Sequence, residues 1–130
     1  MNPAYLDTVF DLETHYQVPQ AFVVITAYNP KGRTAPPSRN LHQDHTLRAV
    51  LENLGASPFR VTGRSLDGKH QEPGWGATLD LKTGFEIGKM FKQEAIYHIQ
   101  SNQLTLHSCD GQQVEQLGSW SERINLKITP

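Results

Sequence analysis

Apolar residues recur along the chain in two rhythms, one helical and one alternating, and the places where the rhythm changes divide it into elements. Leu6, Val9 and Phe10 fall at i, i+3 and i+4, flanked by Tyr5 and Leu12, so residues 3–13 read as a helix ahead of Pro19. The stretch "AFVVITA" is apolar at both parities, which predicts a central strand covered on both faces. Leu47, Val50, Leu51 and Leu54 form a helical stripe over residues 40–54, with Ser38 or Asn40 as its cap and Gly55 past its end. "FRVTGR" predicts a second strand. "SLDGKHQEPG" predicts a turn region around Asp67-Gly68, and the alternation in "WGATLDLK" a third strand. Thr83, with Glu86 three residues on, has the spacing of a capping box. The helix it opens carries Ile87, Met90 and Phe91 on one face, and Gly84 and Gly88 would let the sheet approach closely. "AIYHI" and "LTLHS" flank Ser101-Asn102 and predict a hairpin. Residues 110–130 are ambiguous, although "INLKIT" alternates like an edge strand.

The resulting order, β-α-β-β-α-β, predicts an α+β fold: a ferredoxin-like sheet with an N-terminal helix and an added C-terminal hairpin strand. Residues 1–130 would form one domain, with a helical lead-in over 1–18, a core over 20–109 and a tail over 110–130. If both core helices cover one sheet face, the other needs a cover. The N-terminal helix, the tail or a second subunit, making a homodimer, would supply it.

That connectivity also predicts where a site would lie. The first core strand ends, the turn between the second and third strands lies and the second helix finishes at the same edge of the sheet. Three segments distant in sequence should therefore meet there: residues 29–40, 70–75 and 92–94. The first is unusually long and stiff, running "NPKGRTAPPSRN" into a helix, and ordered loops on a scaffold are where binding and catalytic groups concentrate.

Composition narrows the function classes. The chain has 130 residues, a formal net charge of −1 and a pI near 6.6, a balance with no general attraction for nucleic acid or anionic membranes. The central strands also lack the aromatic and basic pattern of RNA-binding sheets, so neither nucleic acid nor a membrane is an expected partner. Cys109 is the single cysteine, which excludes an intramolecular disulfide and a cysteine-rich zinc site. The N-terminal stretch contains acids and no apolar core of a secretory signal, and the expected setting is the cytoplasm.

At the predicted edge, Asn29-Pro30 reads either as a turn or as a ligand-facing amide. Lys31, Arg33 and Arg39 precede a helix N-terminus, where they would form a weak anion site or an ordinary solvated loop. Glu72 and Gln93 are the sharper pair. They would read a ligand's polar atoms, or tie three loops together in a buried network with Asn40 and Arg33. His42, Asp44, His45, His70 and Glu72 match no metal-binding spacing, so no metal and no cofactor is expected. Trp75 and Tyr28 would flank the site. His98 and His107 read as cross-strand packing and Cys109 as a structural thiol.

The strand end "ITAYNP", the downstream Asn40, "EPGWG" and "FKQEAIY" together resemble an uncharacterised bacterial family, domain of unknown function 3293. The resemblance spans residues 22–106. It picks out Thr26, Asn29, Pro30, Asn40, Glu72, Pro73, Gln93 and Ala95 and implies a small bacterial cytoplasmic protein, but no activity. The expected function is binding of a small polar or anionic ligand by Asn29, Arg33, Asn40, Glu72 and Gln93. The alternatives are an enzyme with Glu72 as general acid or base in the same pocket, and a non-catalytic protein-interaction module.

Overall fold

The computed structural model describes residues 1–12 and 18–126. Eight strands occur in chain order: β1 Val9–Leu12, β2 Ala21–Thr26, β3 Phe59–Arg64, β4 Gln71–Ala77, β5 Ala95–Gln100, β6 Gln103–Ser108, β7 Val114–Ser119 and β8 Ile124–Leu126. Helix α1, Pro37–Asn53, links β2 to β3, and helix α2, Leu81–Met90, links β4 to β5. All eight strands join one sheet in the order β7-β6-β5-β2-β4-β3-β1-β8. Seven are successively antiparallel, and β8 closes the far edge parallel to β1.

The ferredoxin-like expectation is therefore corrected. The protein is mostly β, a curled half-barrel sheet with two helices. The N-terminal helix predicted over residues 3–13 is absent from its described part. Pro3–Asp7 form a short 3₁₀ turn capped by the Asn2 side chain, and Val9–Leu12 are the strand β1. The i, i+3, i+4 spacing misled because Phe10 and Leu12 also fit a two-residue alternation, and strand pairing with β3 decided between the two. At the other end, the ambiguous tail supplies two strands. Ile124–Leu126 sit at the sheet edge as the alternation predicted, and residues 127–130 of that stretch lie outside the described ones.

The curl can be read from ring contacts. Between β5 and β1 lie β2, β4 and β3, so a flat sheet would hold the outer two about 19 Å apart. Yet the rings of Phe10 on β1 and Tyr97 on β5 are 4.9 Å apart, edge to face. Trp120, after β7, packs on Phe10 at 5.0 Å and on Phe22 at 5.4 Å. The concave face is thus filled from within by Phe10, Leu12, Phe22, Val24, Phe59, Val61, Ile99, Leu104 and Trp120. Val23, Ile25, Trp75, Ala77 and Ile96 face the other way, against Leu47 and Leu51 of α1 and Ile87 of α2. Both parities of "AFVVITA" are buried because each meets a different core.

Helix boundaries follow local chemistry, with two corrections. Helix α1 begins three residues earlier than the stripe indicates, with Pro37 at its first position and no side-chain cap from Ser38 or Asn40. It ends as predicted: Gly55 adopts φ +70°, and the Ala56 amide donates to the Leu51 carbonyl. Helix α2 is capped by Asp80, whose carboxylate accepts from the Thr83 amide at 2.8 Å, so the cap stands three residues before Thr83.

Gly84 and Gly88 do admit the sheet. A Cβ on Gly84 would lie 2.9 Å from Ile96 Cδ1, and one on Gly88 would lie 2.6 Å from the Cys109 sulfur. Gly88→Ala is accordingly expected to cost roughly 1–3 kcal/mol in urea unfolding. Adding Cys109→Ala should return part of that loss, measured as a coupling in a double-mutant cycle. Purely additive losses would show that the clash is relieved elsewhere.

Candidate functional site

The cavity at the mouth of the half-barrel exists because the strands end at different heights. The β2–β4 pairing stops at Thr26↔Gly74, while β4 and β3 continue paired out to Gln71↔Arg64. Pro73 lies just beyond the last β2 pair and has no N–H to extend that ladder. Its carbonyl instead accepts from the Thr26 hydroxyl at 2.8 Å. Glu72 therefore stands on a strand, not in the turn that the sequence indicated, and alternation from Gly74 places it on the concave face.

A space of about 380 Å³ opens there, a size suited to a small molecule. All three segments predicted to meet contribute to it: Asn29, Gly32 and Thr34 from the first, His70, Glu72 and Gly74 from the second, and Gln93 from the third. Phe10, Val24 and Leu106 supply apolar wall, and Tyr5, Thr8 and Tyr97 close it from the N-terminal segment and β5. A wider and more open depression of about 630 Å³ shares Asn2, Gly32 and Gln93 with this cavity but lacks the Glu72 carboxylate.

Glu72 dominates the electrostatics. It is partly buried, and burial pushes its carboxyl up to about 7, with no neighbouring cation drawing it back. Its carboxylate has no hydrogen-bond partner among the described residues. Arg64, next to Gly63, the cross-strand partner of Glu72, also lines the cavity, but its Nε donates to the Asp11 carboxylate at 3.0 and 3.2 Å. Tyr5 is pushed up to about 12, by burial first and then by the negative charges of Glu72 and Glu94. Burial also raises Tyr97, whose hydroxyl donates to the Tyr5 carbonyl at 2.9 Å and meets the Thr8 hydroxyl at 2.8 Å.

The other residues singled out in the sequence are largely occupied with one another. Asn40 Oδ1 accepts from the Asn29 amide at 2.9 Å, and its Nδ2 donates to Asn29 Oδ1 at 2.9 Å. Asn29 Oδ1 also accepts from the Ala35 amide. Gln93 Nε2 donates to the carbonyls of Tyr28 and Phe91, and the Lys31 amide donates to the Lys92 carbonyl. The loop needs this clamp, because Asn29, Lys31 and Lys92 all hold positive φ, at 50°, 58° and 58°. Asn40 is buried inside α1, and none of these amides reaches Glu72. Arg33 is exposed and does not line the cavity. Asn40→Ala should cost about 1–3 kcal/mol in urea unfolding, since it orphans the Asn29 amide. A loss indistinguishable from a surface substitution would show that water replaces the clamp.

The sequence reading weighed Asp44 only as a metal ligand and missed its pairing with Arg60. Asp44, 1% exposed, receives the Arg60 guanidinium at 2.7 and 2.8 Å, and that guanidinium lies 3.8 Å from the centre of the Trp75 ring. Trp75 Nε1 donates to the Asp44 carbonyl at 3.2 Å. Trp75 therefore belongs to the core under α1 and does not flank the cavity. Asp44 forms no metal site with His42 and His45, and no cluster of metal-binding groups occurs among the described residues. His98 and His107 face each other on adjoining strands at 6.0 Å, and burial lowers both. Cys109 is buried, and its thiol is pushed up to about 11, which makes it a poor nucleophile. No described helix is long and apolar enough to cross a membrane.

The sequence model of a family described as "Protein of unknown function (DUF3293)" matches residues 25–96, more than half of the chain. The chain belongs to that family. The DUF3293 match covers the clamped loop, α1, β3, β4 with Glu72, α2 and Gln93, and so one wall of the cavity. Tyr5, Thr8, Phe10 and Tyr97, which close the cavity, lie outside the matched segment. No curated protein and no solved structure matches the chain.

Proposed function

We propose that the protein binds a small polar ligand in the cavity at the mouth of the half-barrel, with Glu72 as its principal contact. The observation that supports this is a carboxylate with no protein partner on the wall of a space of about 380 Å³. A partly buried carboxylate with a raised proton affinity and no protein partner is a candidate for contact with something bound. Asn29, Asn40 and Gln93 serve this reading as the frame that holds the loop wall in place, and Arg33 plays no part inside the cavity.

A second reading draws on the proton affinity of Glu72. A carboxyl near 7 exchanges protons readily at neutral pH, as a general acid or base must. One experiment separates the readings. Purified protein and Glu72→Gln are screened by thermal shift against a metabolite library, while mass spectrometry identifies what co-purifies. The binding reading expects at least one compound that stabilises the wild type and not the variant. The enzymatic reading expects a compound that both bind and only the wild type converts. A library that stabilises neither, with nothing co-purifying, would overturn both.

A further inference from the structure

Charge around the cavity discriminates among ligands. Of the ionic groups near Glu72, Arg64 is consumed by Asp11, while His70 is exposed at the rim. Glu94, beyond Tyr5, adds negative charge to the same region. The donors that would hold an anion are mostly spent inside the protein: Gln93 Nε2 on two carbonyls, the Thr26 hydroxyl on Pro73, and the Tyr97 hydroxyl on Tyr5. Beside the paired Arg64 and the exposed His70, the lining offers one carboxylate without a protein partner, neutral groups such as the Tyr5 hydroxyl, and aromatic rings. Ammonium groups are attracted both to carboxylates and to the faces of such rings.

Resting on the reading that this cavity binds a ligand, we infer that the ligand is a primary amine: its ammonium group meets the Glu72 carboxylate, and its hydrocarbon part lies against the half-buried rings of Tyr5 and Tyr97. The anionic class that the basic loop suggested in the sequence is disfavoured, because Arg33 is outside the cavity and Arg64, on its lining, already holds the Asp11 carboxylate. Burial resists ionisation of Glu72 in the empty protein, and an incoming cation relieves that cost. Amine affinity should therefore rise about tenfold between pH 6 and pH 8, following ionisation of the carboxyl.

The test uses the full chain labelled with ¹⁵N and three probes of matched shape and different charge: phenethylamine, 2-phenylethanol and 3-phenylpropionate. The expected result is that phenethylamine shifts the amide signals of Tyr5, Glu72 and Tyr97, binds at least several-fold more tightly than the other two, and loses about tenfold in affinity in Glu72→Gln. If 3-phenylpropionate or the alcohol binds the cavity as well as the amine, the amine inference falls and the pocket reading stands. The same holds if Glu72→Gln leaves amine affinity unchanged at both pH values. If no probe moves the cavity amides at millimolar concentration, the amine inference falls; the pocket reading falls with it only when the metabolite screen is also blank.

Discussion

Asp44→Ala should lose about 3–5 kcal/mol of stability, a large part of what a domain of this size has to spend. The carboxylate is 1% exposed and holds both terminal nitrogens of Arg60, at 2.8 and 2.7 Å. Removing it takes the Asp44 carboxylate from a guanidinium pressed against the Trp75 ring, and opens a void between α1 and the sheet. The Arg60 side chain keeps 22% exposure, so water enters to part of it and the loss should fall at the lower end of the range. The pair's net worth is a separate quantity, because burying both charges has its own cost. Asp44→Leu combined with Arg60→Met should therefore recover most of the loss. Urea unfolding of the two single variants and the double variant measures this directly. An Asp44→Ala variant within about 1 kcal/mol of wild type would show that the pair is solvated and structurally idle.

Glu72→Gln should stabilise the protein by a margin that grows as pH rises from about 4.5 and is complete above about 7. The carboxyl is held near 7 when folded and titrates near 4.5 when unbound by structure. The folded state thus retains a proton that the unfolded state gives up. The stability associated with Glu72 is fully present below about pH 4.5 and is lost as pH rises through about 7. The full shift corresponds to at most about 3 kcal/mol. Partial exposure reduces it, so the expected gain of Glu72→Gln over wild type is about 1–2 kcal/mol at pH 8.5, with the two proteins alike at pH 4.5. Paired urea titrations at those pH values, backed by direct titration of the Glu72 carboxyl carbon by NMR, give the check. A gain of equal size at both pH values would mean that glutamine packs better and that ionisation is irrelevant.

The same residues show how much could be read from the chain. "AFVVITA" was legible as a doubly covered strand because burial on both faces leaves no polar parity. The C-terminal glycine of α1 and the Ser101-Asn102 turn were legible because they are local: both turn residues hold positive φ, at 49° and 67°. The meeting of residues 29–40, 70–75 and 92–94 followed from connectivity alone. Roles within that meeting did not follow. Asn29, Asn40, Gln93 and Glu72 are all polar residues at one edge, and their types do not reveal that three of them bond to their own loops while the fourth bonds to none. Arg60 and Arg64 each find an aspartate on a different element, 16 and 53 residues away in sequence. No spacing rule reaches that far.

Local chemistry, then, was written in the sequence: most strands and both core helices, the helix-ending glycine, the close-approach glycines of α2 and membership of the family. The tertiary structure alone decided three things: that Val9–Leu12 pair as a strand, that the sheet curls until Phe10 meets Tyr97, and that Glu72 faces the space so enclosed. The physical reason is that curvature is a property of the whole sheet. It is set where aromatic rings from opposite ends of the chain, Phe10 and Trp120, bury each other, and neither end carries a local signal of the other.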